Sequence, residues 1–189
     1  MEGLLLGLGL LLILTYLWYV SLLKKRATAR EALQSVDHQL SKRSQLITTL
    51  LARAQTEMAH EQPLPADIIK LQEQTDGPYQ PQDARALQQH LQAADQLHGK
   101  MSLLFAQLEN TPTLLTDSVL LQSMQAYSEL ETQLCSARRF YNAAVTELNT
   151  AVAIFPGSII ARLANIGPMP FYEAGEADQA PVNTCDLQK

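Results

Sequence analysis

The sequence predicts an all-α fold: an N-terminal transmembrane helix continuing into an elongated antiparallel bundle of three long helices plus one short helix. Three observations predict it. The stretch Leu4–Leu23 carries no charge and is rich in leucine. Beyond it, apolar residues recur at intervals of three and four along three long segments. Proline- and glycine-containing clusters separate those segments.

The apolar stretch comes first. Twenty helical residues rise about 30 Å, the depth of a bilayer's hydrocarbon core. Tyr16, Trp18 and Tyr19 stand in its C-terminal half, where amphipathic rings favour the lipid–water boundary. A cleaved signal would have a basic start and small residues at its end. Here Glu2 is the charge before the run, and the run closes on bulky Trp18-Tyr19-Val20. A retained anchor is therefore expected. Lys24, Lys25 and Arg26 follow directly, and basic flanks stay on the cytoplasmic side. That places residues 1–3 outside, 4–23 in the membrane, 24–173 in a cytoplasmic helical bundle and 174–189 in a flexible tail. The expected location is the cell membrane, as a single-pass protein.

The helix should not stop at the membrane surface. Leu33, Leu40, Ile47 and Ala54 repeat every seven residues, with Ala29, Val36 and Leu50 in the companion row. Such a seam carries a helix to about Glu61. Arg43 and Glu57 interrupt the companion row. Pro63 and Pro65 then break the chain before a short helix over 66–74, and Asp76–Pro81 forms a turn cluster. The next helix spans about 82–110, with a seam of Leu87, Leu91, Ala94, His98, Met101, Phe105 and Leu108. Gly99 interrupts it, at about 1 kcal/mol relative to alanine, and is read as room for a neighbour's close approach. A turn at 110–113 precedes the last long helix, capped by Thr116 or Asp117. Its seam runs Leu120, Met124, Tyr127, Glu131, Leu134, Arg138, Tyr141, Val145, Leu148, Val152, Phe155, and Pro156-Gly157 ends it. A short apolar helix over 158–165 follows. If the three long helices alternate in direction, the first and third are parallel.

Charges on a buried stripe are costly unless paired. Matching heights along the helices brings Arg43 near Glu131: either the pair sets the register of the bundle, or these side chains reach out to the solvent rim. If they pair, reversing one charge should destabilise the protein, and reversing both should restore it.

The net charge of −5 does not favour nucleic acid as a partner. No phosphate-binding loop, zinc-protease, CxxC or nucleophile-elbow motif occurs in the sequence. The four histidines are scattered, and Asp37-His38, the one adjacent acid–imidazole pair, points its side chains about 100° apart on a helix. No catalytic residue, metal site or cofactor is assigned. Cys135 and Cys185 are far apart in sequence, and in a reducing cytoplasm both are expected as ordinary thiols.

Ala137-Arg138-Arg139-Phe140-Tyr141-Asn142, then Val145, Asn149 and Phe155-Pro156, followed by Phe171-Tyr172-Glu173, resembles the C-terminal signature of the LemA family. Val36-Asp37, Gln39-Leu40, Lys42-Arg43 and His60-Glu61 are similar to that family's early segment. Two places depart from it. Leu148-Asn149 stands where the family has a second Tyr-Asn pair, and Leu46-Ile47-Thr48-Thr49-Leu50 replaces its Leu-Ile-Pro-Asn-Leu. The resemblance implies a membrane-anchored helical bundle with a cytoplasmic body and no established enzymatic activity. The signature residues are Asp37, Arg43, Glu131, Arg138, Tyr141, Asn142, Asn149, Phe155 and Pro156, read as structural. The functional expectation is a non-enzymatic, membrane-tethered interaction or scaffold module. Its partners would be the lipid bilayer and another protein or a second copy. The alternative is a membrane-bound small-ligand sensor or enzyme using the Arg138/Tyr141/Asn142/Asn149 face.

Overall fold

A computed structural model describes residues 2–57, 63–109 and 117–172. The end of the first helix near Glu61, the turn at 110–113 and the tail 174–189 lie outside the described residues. The described residues form five helices: α1 Glu2–Glu57, α2 Pro63–Asp76, α3 Ala84–Glu109, α4 Ser118–Ala153 and α5 Gly157–Leu163. There is no strand among the described residues. The all-helical expectation holds.

The helix ends follow from their residues. Pro63 opens α2, where a missing N–H costs nothing. Asp83 caps α3 by accepting the Arg85 N–H at 2.9 Å. Asp117 caps α4: its carboxylate accepts from the N–H groups of Val119 at 2.9 Å and Leu120 at 3.3 Å; Thr116, the other cap expected, lies outside the described residues. Asp117→Ala is expected to cost about 1 kcal/mol in a denaturant titration.

The chain divides into two units. One comprises Ser35–Arg138 with Tyr172. Its core gathers Ile47, Leu50, Leu97, Met101, Leu104 and Leu120. The seam of α1 is buried as expected, from Val36 and Leu40 to Ile47 and Leu50. In α3 the buried stripe is wider than expected. His90, Leu97 and Leu104, seven apart, form a second row beside the first. Gly99 has nothing within 4 Å of the position a Cβ would take, so it accommodates no close neighbour.

Helix directions correct one expectation. In this unit Arg43 pairs with Glu131 and Arg53 with Asp117. Residue numbers rise along α1 as they fall along α4, so these helices are antiparallel. Helix α2 is the return leg that makes this possible. Its Gln72 amide donates to the Ser44 backbone carbonyl, the Ser44 hydroxyl and the Thr48 hydroxyl, and Lys100 of α3 reaches its Asp67 at 2.7 Å.

The other unit comprises Met1–Gln34 and Arg139–Phe171. Here Lys25 pairs with Glu147 at 2.7 Å. Further back along α1, Trp18 reaches Gly157, its ring 3.9 Å from that residue's would-be Cβ. These two contacts also set α1 and α4 antiparallel. Leu4–Leu14 are exposed except for half-buried Gly9, whereas Leu22 and Ala29 are buried. Among the described residues α1 is the helix long and apolar enough to cross a membrane. Helix α4 ends at Ala153 and the chain turns by 94° into α5. Phe155, expected on the seam, instead lies past the helix end and is 74% exposed. The seven-residue repeat fails there because Pro156 cannot continue α4.

Candidate functional site

In the Ser35–Arg138 unit, polar groups converge at two places. The first is the Arg43–Glu131 centre. Arg43 is 1% exposed and its guanidinium splits its donors, one to Glu131 Oε1 at 3.2 Å and one to the Ala94 carbonyl at 2.7 Å. His98 Nδ1 approaches the other carboxylate oxygen at 3.2 Å. The α3 histidine expected within the seam is thus a partner of Glu131. Burial works to raise the Glu131 pKa. The His98 hydrogen bond and the charge of Arg43 outweigh it and hold the carboxyl down at about 2. Burial likewise opposes the charge of Arg43, yet Tyr127 and Glu131 outweigh it and raise its pKa. Tyr172 lies beneath the Arg138 guanidinium, 5.6 Å from the ring centre. Burial raises the Tyr172 hydroxyl to about 12, against the pull of Arg43 and Arg138.

The second place is an open cleft of about 530 Å³ lined by Asp37, Ser44, Asp76, Tyr79 and His90. Asp37 stands between two partners: it accepts the Tyr79 hydroxyl at 2.7 Å, and His90 Nε2 lies 3.4 Å away. The Tyr79 ring stacks on His90 with centres 4.1 Å apart. Ser44 donates to Asp76 at 2.5 Å and accepts from Gln72. Its proton is therefore committed to a carboxylate on the neighbouring helix, which ties α2 to α1. Asp37 had been weighed against His38, which is exposed. Its imidazole partner is His90, fifty-three positions away in the sequence.

In the other unit, the signature residues of α4 hold an irregular strap. The Tyr141 hydroxyl donates to the Pro170 carbonyl at 2.7 Å, and Tyr141 itself is fully buried. Asn149 reads both backbone groups of Met169, donating to its carbonyl and accepting its N–H, each at 2.9 Å. Asn142 sits beside them, half-buried. Asn149→Ala is expected to cost about 2 kcal/mol, because it strands two backbone groups, and hydrogen exchange at Met169 should rise with it. Asn149→Asp keeps the acceptor for the N–H but sets a carboxylate oxygen against the Met169 carbonyl, acceptor against acceptor, and should lose at least as much.

Of the sequence-derived residues, the structure brings Arg43 and Glu131 together and joins Tyr141 and Asn149 through the strap. Phe155 and Pro156 form the corner between α4 and α5. The residues missed were Tyr79, His90, Ser44 and Asp76. His90 had a readable signal, its seven-residue spacing to Leu97 and Leu104, whereas Tyr79 lies in an aperiodic turn. Cys135 corrects another expectation. It is disulfide-bonded rather than an ordinary thiol, and no described cysteine is free. Cys185, the other cysteine of the chain, lies outside the described residues. Among the described residues no group of three His, Cys, Asp or Glu side chains could hold a metal ion.

A family model described as the LemA family matches residues 32–184. No curated protein matches the chain.

Proposed function

The chain belongs to the LemA family, and on that premise we propose a non-enzymatic, single-pass membrane protein that presents its helical body to a protein partner or to a second copy. The reading rests on one observation: α1 is a single helix from Glu2 to Glu57. The apolar stretch and the packed seam thus belong to one helix. The signature side chains serve packing, since Tyr141 and Asn149 are taken up by the strap. That leaves little for the alternative, a small-ligand sensor or enzyme on that face. The basic cluster Lys24–Arg26 supports a body on the cytoplasmic side of the cell membrane. A photo-reactive residue at Gln92, exposed on α3, should cross-link in intact membranes to one protein at fixed stoichiometry, a second copy included. Adducts to lipid alone, or to none, overturn the reading.

Cys135 favours a second reading of the orientation. Persistent disulfides belong to oxidising compartments, so a lasting bond at Cys135 would put the body outside the cytoplasm. A thiol reagent that cannot cross the membrane separates the two. Under the first reading, the reducing cytoplasm keeps that bond open, and the cysteines are shielded from the reagent until lysis. Under the second, they resist the reagent after lysis until a reductant is added.

A further inference from the structure

The unit formed by Met1–Gln34 and Arg139–Phe171 exposes a group of large apolar side chains at one end. Ile154 is 54% exposed, Phe155 74%, Ile159 54% and Leu163 83%. Ile159 and Leu163 are four apart on α5 and share a face, while Ile160 and Ala161 bury the opposite face. Exposed apolar groups gathered this closely mark a contact surface. We infer that this face of α5, with Phe155 at its corner, lies flat on the lipid bilayer beside the point where α1 enters it.

Three observations commit the face to lipid. The first is level. Gly157, the first residue of α5, faces the Trp18 ring, and Trp18 belongs to the aromatic end of the apolar stretch. The second is direction. In this unit α4 runs antiparallel to α1, and α5 leaves α4 at 94°. A helix perpendicular to the one that crosses the membrane lies in the plane of its surface. The third is charge. Lys24 and Arg26 stand about two turns beyond Trp18 on α1, and Arg162 is exposed on α5. Basic side chains flanking an apolar face suit anionic headgroups, with the face sunk about 5–10 Å into the boundary region. A face that met a second protein would have no reason to sit at the level of Trp18.

The inference rests on the reading of α1 as a membrane anchor, and the test separates the two. The full chain is reconstituted in vesicles of phosphatidylethanolamine and phosphatidylglycerol whose acyl chains carry bromine near the headgroup. Trp18, the one tryptophan of the chain, reports the anchor by its own quenching. Leu163→Trp in a Trp18→Phe background reports α5, at a position so exposed that the fold is undisturbed. Ala143→Trp in the same background is the control, exposed on α4 about 20 Å above the corner. The expected result is a blue-shifted emission from the Leu163→Trp indole, quenched several-fold more than that of the control. Quenching of Trp18 without quenching at position 163 overturns this inference and leaves the anchor standing. A blue shift at 163 without quenching shows a protein contact, and overturns it as well. Absence of quenching at Trp18 overturns both readings together.

Discussion

Arg43→Ala is expected to lower the stability of the folded body by about 3–5 kcal/mol, the cost of leaving a buried charge without its partner. The change takes the guanidinium from Glu131, leaving it His98 and Tyr127, and removes the donor to the Ala94 carbonyl. Charge reversal at both positions, expected from the sequence to restore stability, should fail. A glutamate at position 43 would turn its oxygens toward the Ala94 carbonyl, acceptor against acceptor. Replacing the pair by Arg43→Met and Glu131→Leu should recover more than the swap does, because matched apolar groups remove the desolvation cost of both ions. Denaturant titrations of the three variants decide the order. If the swap proves the more stable, the Ala94 contact does not matter.

The same centre makes stability depend on pH. The Glu131 carboxyl has its proton near 4.5 in the unfolded chain and near 2 in the folded one. Between those values the unfolded state binds more protons, so stability falls with falling pH. The full contribution, about 3 kcal/mol from a shift of this size, is present above about pH 5 and is gone below pH 2. Glu131→Gln should flatten that limb of the pH profile while leaving neutral stability lower than wild type.

How much of this was legible depends on whether a residue left a periodic trace. Arg43 and Glu131 were found because each breaks an apolar row, and a charge in such a row needs a partner. The helix directions were not found. A seam repeats every seven residues whichever way the helix runs, and the pairing was reached with α4 pointing the wrong way. Pro63 and Pro65 made α2 look like an interruption, when it is the return leg. Tyr141 and Asn149 were legible as a face of α4. What they hold was not, because the strap around Met169 and Pro170 has no period to read. Phe155 was misplaced by extending the repeat one step beyond where Pro156 ends it.

Gly157→Ala and Gly99→Ala are expected to move stability in opposite directions. Neither glycine requires a conformation that alanine lacks, since no described glycine has a positive φ. Conformational entropy alone thus favours alanine at both, by about 0.4–1 kcal/mol. At Gly99, inside α3, nothing lies within 4 Å of the new methyl group, and a gain of up to about 1 kcal/mol should be seen. At Gly157 the methyl would meet the Ala151 carbonyl oxygen, far inside van der Waals contact. That oxygen belongs to the last turn of α4, so relief requires opening the corner. Overpacking of this kind costs about 1–3 kcal/mol or more, which outweighs the entropic gain. The loss should appear as a lower unfolding midpoint, together with faster hydrogen exchange at Ser158, whose N–H bonds to the Ile154 carbonyl across the corner. A neutral Gly157→Ala would show that the corner yields freely, and that the close approach of α5 to the end of α4 does not hold α5 at its angle.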